Sequence, residues 1–313
     1  MDRFTLPNPP ILPHRPADGH KGTFGTVGII GGSAGNPGDL DSLQARMIGA
    51  PALVAMGANR SGCGLVKIGA PDSILNAVLS LAPFATGYPI GDDGSAVLDR
   101  LASESDALVI GPGLGTTGGT GQLITHAIRS VSQRTKCMVL DADAINALCQ
   151  LKPVPTAFAT PTILTPHPGE AARLLESLHL AGNPSGDNQQ RIDVCRLLAS
   201  RLGCIVVLKG NGTVVSDGDQ HWVCERGHPC LGVGGTGDVL AGMIGSLTAQ
   251  CVNDPDVGGF ASTCIAVEAH ARSGELWAMR HSSAGLDPRD LGDLIPETLD
   301  AYRCSSEYLR STR

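Results

Sequence analysis

Aromatic side chains are scarce: five Phe, three Tyr and two Trp make up 3% of 313 residues. Since 42% of the chain is still hydrophobic, its core must be filled by Val, Ile, Leu and Ala, which suits a buried parallel sheet covered by helices. Runs of cationic residues are missing too. No stretch of Lys or Arg is long enough to track a phosphodiester backbone, and the formal net charge is −7. Nucleic acid is therefore set aside as a partner, and the acidic balance reads as a solubility feature. No segment approaches the ~18 consecutive apolar residues of a membrane helix. The polar, Pro-rich segment 1–16 lacks the charged-then-apolar layout of a signal peptide. No membrane partner and a cytoplasmic location are expected. Ten cysteines are present without one C-x-x-C pair, the closest spacing being Cys224 to Cys230. Zinc sites need tighter pairs, so the expectation is reduced, buried thiols.

Short branched-aliphatic runs alternate with longer helical patterns. Segments 26–30, 65–68, 107–110, 138–140, 162–164 and 205–208 read as buried strands, each punctuated by Gly, Pro or Asp. Segments 42–60, 119–132, 169–178, 188–202 and 238–250 read as helices. This alternation implies a mostly parallel sheet with helices on both faces. Residues 213–216 and 221–224 flank Asp217-Gly218-Asp219, a tight-turn signal, and read as an antiparallel hairpin. The Ala- and Ser-rich helix over 260–279 suggests close packing. No linker or internal repeat divides the chain. One catalytic domain over 20–300 is expected, with an N-terminal extension (1–19) and a C-terminal tail (301–313). The stretch 36–48, which carries Asp39, Asp41 and Arg46, reads as an insertion or lid.

The most informative motif is Gly232-Val233-Gly234-Gly235-Thr236-Gly237-Asp238 ahead of a strong helix. Glycines let backbone approach a ligand, and the first amides of a helix have no internal acceptor, so together they form an anion site. Gly235, Thr236 and Gly237 supply that anion hole, where charge on a phosphoryl group in flight can be held. Asp238 in the first turn can take the proton of an attacking hydroxyl; the plain alternative is a helix start whose Asp favours the dipole. Lys209-Gly210-Asn211-Gly212-Thr213 follows a strand, where α/β ligands sit, and Lys209 can pair with phosphate, unless the segment is only a turn into the hairpin. Two prolines hold His167 in Thr165-Pro166-His167-Pro168-Gly169-Glu170, which suits a substrate contact or a capped helix start. Gly31-Gly32-Ser33, downstream of His20-Lys21-Gly22, has no following Lys-Ser/Thr and is no Walker loop. Gly113-Leu114-Gly115-Thr116-Thr117-Gly118 matches G-x-G-x-x-G between a strand and a helix, and the next strand ends in Asp141, where a ribose-binding acid would sit. On pattern alone this is a dinucleotide site. It begins late in the chain, however, and leaves the other loops unexplained.

Taken together these motifs resemble the ADP/ATP-dependent NAD(P)H-hydrate dehydratases of the ribokinase-like superfamily. The pieces that carry the resemblance run from about His20 to Pro296: His20-Lys21-Gly22, Gly31-Gly32-Ser33, Arg60-Ser61-Gly62-Cys63-Gly64-Leu65-Val66, Ile110-Gly111-Pro112-Gly113-Leu114-Gly115, Leu140-Asp141-Ala142-Asp143-Ala144, Leu164 through Glu170, Leu208-Lys209-Gly210 and Gly234 through Asp238. The resemblance implies a three-layer α/β/α sandwich and repair of the S form of hydrated NADH or NADPH. The C6 hydroxyl would be phosphorylated by ADP or ATP, often with Mg²⁺, and phosphate then eliminated. It implies Asp238 as base and substrate contact, Ala50, Gly113 and His167 as dinucleotide contacts, and 209–213 with Gly237 around the adenine nucleotide. It also implies a separate epimerase in the same pathway and a homotetramer. No metal ligands are assigned. This sequence departs at 36–48, which bears on Ala50, and at Gly227-His228-Pro229-Cys230, where the family usually has an Asn-Pro-Gly-like turn. A small-molecule kinase of the same superfamily and a nucleotide sensor without turnover are the competing readings.

Overall fold

The computed structural model describes residues 12–13, 15–35, 45–91, 94–116, 119–130, 135–156, 158–251 and 258–303. Asp39 and Asp41 of the expected lid, Thr117 and Gly118 of the Gly-rich loop, residues 131–132 of an expected helix end and most of both terminal segments lie outside the described residues.

In chain order the elements are β1 (Thr26–Ile30), α1 (Gly49–Arg60), β2 (Leu65–Pro71), α2 (Asp72–Leu81), β3 (Thr86–Ile90), α3 (Ser95–Glu104), β4 (Ala107–Ile110), α4 (Thr120–Ser130) and β5 (Cys137–Leu140). There follow α5 (Asp143–Gln150), β6 (Thr162–Leu164), α6 (Pro168–Ser177), α7 (Asn188–Leu202), β7 (Ile205–Leu208), β8 (Val214–Ser216), β9 (His221–Val223), α8 (Thr236–Cys251), α9 (Gly258–Arg280) and α10 (Leu291–Asp300). They build one sheet of nine strands, ordered β3-β2-β1-β4-β5-β6-β7-β8-β9. Strands β1 to β7 pair in parallel, and the hairpin β8–β9 adds antiparallel to β7, as its turn chemistry implies.

Side chains alternate across the central strands and so divide two aliphatic cores. Val27, Ile29, Val109, Val139 and Val207 face the layer of α1, α2, α8, α9 and α10. Ile30, Leu108, Ile110, Met138, Leu140, Val206 and Leu208 face α3 to α7. Nine cysteines among the described residues are free thiols, eight of them buried. Burial pushes Cys63 and Cys137 up to about 12, as expected for reduced core thiols. No described helix is long and apolar enough to cross a membrane.

Several boundaries differ from the sequence reading. The helix expected from 42 starts at Gly49, because Ser33 and Met47 form an antiparallel bridge with both backbone bonds made (3.2 and 2.9 Å). Helices α2, α3, α5 and α10 and edge strand β3 were not anticipated. β3 reads Thr-Gly-Tyr-Pro-Ile, a Pro-containing pattern that an edge strand accommodates.

Helices α1 and α8 cross backbone on backbone. A Cβ on Gly57 would strike the carbonyl of Val239, and one on Gly242 the carbonyl of Val54. That crossing fixes where α8 begins. Gly242→Ala is expected to destabilise the fold by ~1–3 kcal/mol through overpacking. Gly121→Ala, on α4 with open space around the new methyl, should stabilise it by ~1 kcal/mol. Urea midpoints shifting in opposite directions check both.

Candidate active site

The strand order reverses between β1 and β4, and such a switch point opens a crevice at the carboxyl edge of a sheet. The loops after β1 and β4 close on each other there. The Gly32 amide donates to the Pro112 carbonyl (2.9 Å). Gly113 adopts φ +70°, and a Cβ on it would lie 2.8 Å from that of Met47 and 3.2 Å from that of Ala50. Ala50, in the first turn of α1, and Gly113 therefore form one small-residue wall.

The next loop carries Asp141, Ala142 and Asp143. Gly111 (φ +127°) leaves room for the Asp141 carbonyl, which an added Cβ would strike. Ala142 sits at φ +51°, a strained position for a residue with a Cβ. Asp141 is 1% exposed. Its Oδ1 accepts from the Lys209 ammonium (2.8 Å) and from the Thr165 hydroxyl (2.6 Å). The pattern-based place for a ribose acid is thus occupied by an internal ion pair. The loop-forming amide of Gly115 donates to Asp143 Oδ2 (2.8 Å) instead.

Lys209 brings this cluster to the start of α8. Its Nζ lies 3.5 Å from where a Gly237 Cβ would be. Gly235 takes φ +101°, wedged against Leu53 and Pro288, and the Thr236 hydroxyl turns back onto the carbonyls of Leu231 and Val233 (2.8 and 3.1 Å). The first amide of the helix to find a backbone carbonyl is that of Val239, on Gly235 (3.1 Å). The amides of Gly235, Thr236, Gly237 and Asp238 precede it, which leaves them available to an anion. The Gly227-His228-Pro229-Cys230 departure forms a 3₁₀ turn in which His228 Nδ1 accepts from the Cys230 amide (3.3 Å).

Charge at this edge is finely balanced. Burial, and then the Asp141 carboxylate, push Asp238 up to about 7; Lys209 opposes them, and Asp143 adds to the rise. Burial alone would lower the Lys209 ammonium, but Asp141, Glu170 and Asp238 hold it above the ordinary lysine value. Burial likewise lifts Glu170 to about 7. Burial, Lys209 and Arg173 lower His167, so the exposed imidazole is neutral at neutral pH. Its Nδ1 accepts from the Gly169 amide (3.0 Å). The ring proton therefore sits on Nε2, 3.4 Å from Glu170 Oε1, while Glu170 Oε2 accepts from the His167 amide (2.9 Å). His167 caps α6, and its exposed ring lies at the carboxyl edge.

The 209–213 loop is braced by Arg191 of α7, whose Nη2 donates to the carbonyls of Leu208, Lys209 and Gly212 (3.3, 3.4 and 3.2 Å). Gly210 (φ +141°) backs onto that guanidinium, Gly212 takes φ +69°, Thr213 bonds the Gly210 carbonyl (3.0 Å), and Asn211 is exposed. Arg191 gives no signal in the sequence, since it lies within an ordinary helical pattern. His270 of α9 also went unnoticed. It is buried and lowered to about 4 by desolvation, which the nearby Thr236 backbone opposes. His20-Lys21-Gly22 precedes β1 and packs at the opposite end of the sheet, where Gly64 abuts the Lys21 carbonyl. Among the described residues no three His, Cys, Asp or Glu side chains are grouped to hold a metal. A divalent cation would fit here as the companion of bound phosphates.

A glycine-led helix at the switch point of such a three-layer sandwich, with a carboxylate in its first turn, is of the ribokinase-like class. A ribokinase-like superfamily protein from Enterococcus faecalis V583 shares the fold at 24% identity (TM-score 0.74, 93% of this chain and 92% of that one). The family described as NAD(P)H-hydrate dehydratase (Carb_kinase) matches residues 43–297, and the chain belongs to that family. It is 34% identical to the ADP-dependent (S)-NAD(P)H-hydrate dehydratase of Bacillus subtilis, over 91% of this chain and 92% of that one. The crystal structure of the ADP/ATP-dependent NAD(P)H-hydrate dehydratase from Bacillus subtilis, co-crystallised with ATP/Mg²⁺, superposes with a TM-score of 0.73 at 32% identity, covering 93% and 94% of the two chains. The bifunctional NAD(P)H-hydrate repair enzyme Nnr of Gloeobacter violaceus is 38% identical over 79% of this chain but only 46% of its own length. The chain thus spans about half the length of the bifunctional relatives it matches.

The pKa of Asp238 has a thermodynamic consequence. Its folded value of about 7 lies above the ordinary 3.8, so between these values the folded state keeps a proton that the unfolded state has released. This contribution is present below pH 4 and is lost as pH rises towards 7. Asp238→Asn should therefore become increasingly more stable than the parent between pH 4 and 7, with a constant difference above, as urea unfolding at several pH values will report.

Proposed function

We propose that the chain restores hydrated NADH or NADPH, in its S form, to the reduced dinucleotide at the cost of a nucleotide phosphate bond. The observation that carries this reading is the half-buried Asp238 carboxyl, held near neutrality beside open helix amides and the Lys209 ammonium. A base with that affinity accepts the C6 hydroxyl proton as the oxygen attacks the terminal phosphorus of the donor. The amides of Gly235, Thr236 and Gly237 hold the equatorial oxygens of the phosphoryl group. The donor loses one phosphoryl group, the ring nitrogen lone pair expels it as phosphate, and loss of a ring proton restores the double bond.

The roles of the surrounding residues belong to the same proposal. Ala50, Gly113 and His167 contact the dinucleotide, while Lys209, Gly210, Asn211, Gly212 and Thr213, with Gly237, receive the adenine nucleotide. The donor is ADP or ATP: one Bacillus subtilis relative is named for ADP, and the crystallised one for both. Mg²⁺ bound with the donor would neutralise its phosphate oxygens. A separate epimerase supplying the S form, a homotetramer and a cytoplasmic setting complete the reading; the bifunctional names of longer relatives support the epimerase.

Incubating the protein with hydrated NADH, Mg²⁺ and ADP or ATP should return the NADH absorbance with stoichiometric phosphate release. Asp238→Asn should fold and lose nearly all turnover, about 10²–10⁴-fold for a lost general base. A kinase would transfer phosphate to another acceptor and return no absorbance, and near-parental turnover in the variant would remove Asp238 from its role.

A further inference from the structure

Beside the active site a cavity of about 880 Å³ runs between α5 and α6, a size suited to a ligand of drug-like bulk. Both helices start at the carboxyl edge of the sheet and descend its outer face, so the groove opens next to the Gly-rich loop at Thr116 and ends at Lys152 and Arg201. The eight residues of α5 give it a length of ~12 Å.

Hydrogen bonds connect the mouth of this groove to the site. The Gly115 amide binds Asp143 Oδ2, Asn146 Nδ2 donates to Asp143 Oδ1 (3.4 Å), and Arg173 Nε donates to Asn146 Oδ1 (3.0 Å). Arg173 is thereby fixed on the wall, near enough to His167 and Glu170 to bear on both electrostatically. Further along, Lys152 and Arg201 line the groove, against one acidic side chain, Glu176. Three cations against one carboxylate make this wall basic in a chain of net charge −7. Arg60, Arg100, Arg226, Arg280 and Arg289 all sit 2.5 to 3.9 Å from a carboxylate. Lys152, Arg173 and Arg201 have no such partner among the described residues.

We propose that this groove seats the phosphate-bearing distal half of the dinucleotide, with Arg173 at its mouth and Lys152 and Arg201 at its far end as specificity determinants. The inference rests on the proposed function and extends it. A dinucleotide whose nicotinamide ring lies against Gly113 and Asp238 must lead its pyrophosphate and adenosine away from the 209–213 loop. The α5–α6 groove begins at Thr116, three residues after Gly113, and carries Arg173, Lys152 and Arg201 along its wall. Arginine and lysine recognise phosphate oxygens by charge-assisted hydrogen bonds.

The test compares the parent with the double variant Lys152→Glu/Arg201→Glu, using hydrated NADPH and hydrated nicotinamide mononucleotide, which lacks the distal half. The KM for hydrated NADPH should rise about tenfold or more, equivalent to ~1.4 kcal/mol, with little change in kcat. The KM values for the mononucleotide and for the phosphoryl donor should stay as in the parent, and NADPH fluorescence titration should show the same weakening without turnover. An unshifted KM for hydrated NADPH, or a raised KM for the donor, overturns the groove assignment while leaving the repair reaction intact. A parent protein that restores neither hydrate overturns the reaction itself, and the groove with it.

Discussion

The ion pair between Lys209 and Asp141 is the contact on which the site depends. It joins the ends of β5 and β7, and Lys209 carries one positive charge into a cluster formed by Asp141, Asp143, Glu170 and Asp238. Burial makes Glu170 and Asp238 costly to ionise, and the Asp141 carboxylate raises both further. One lysine cannot neutralise them all. It holds Asp141 as a full partner with the help of the Thr165 hydroxyl, and leaves Asp238 only partly compensated. Burial first, and that shortfall second, lift the Asp238 carboxyl to about 7. Removing one member of a buried pair of this kind commonly costs ~3–5 kcal/mol, because the other charge is left stranded.

The fold supplies the geometry for this balance through close backbone contacts. α8 can begin at the carboxyl edge because Gly57 and Gly242 let it lie directly on α1, and because Gly235 turns at positive φ against Leu53 and Pro288. Gly111 admits the Asp141 carbonyl, and Gly113 admits Ala50 and Met47. At these positions the absence of a side chain sets the distance between elements. The open amides at the start of α8, the carboxylates near Lys209 and the small-residue wall thus share a frame of packed main chain, and an added methyl at these glycines would strike a neighbouring backbone or side chain.

Much of this frame was legible in the sequence, for identifiable reasons. β1 and β4 are short, branched and bounded by Gly or Asp, and β6 and β7 are branched runs with Pro161 and Gly203 close before them and Pro166 and Gly210 close after, so their limits match the sequence pattern. The helix from Asn188 was equally clear, its Asp187 and Gln190 forming a capping box and Gly203 ending it. The loops after β4, β6 and β7 could be ranked because Gly, Pro, His and Lys stand where a parallel strand ends. Hidden elements were those whose stability is tertiary. β3 holds a Pro in its middle, α10 contains Pro296, and α5 is too short to show a period. Asp141 was visible, but whether it faced a ribose or a lysine 68 residues away depended on strand order. Arg191 and His270 act on the loop and on α8 from helices whose patterns look ordinary.

A ¹³C NMR titration of the Asp238 side-chain carboxyl, assigned by comparison with Asp238→Asn, addresses this balance directly. The account requires a midpoint near 7, displaced from the ordinary 3.8 by burial and by Asp141. A midpoint near 4 would mean a solvated carboxylate with no poised proton affinity, and would contradict it.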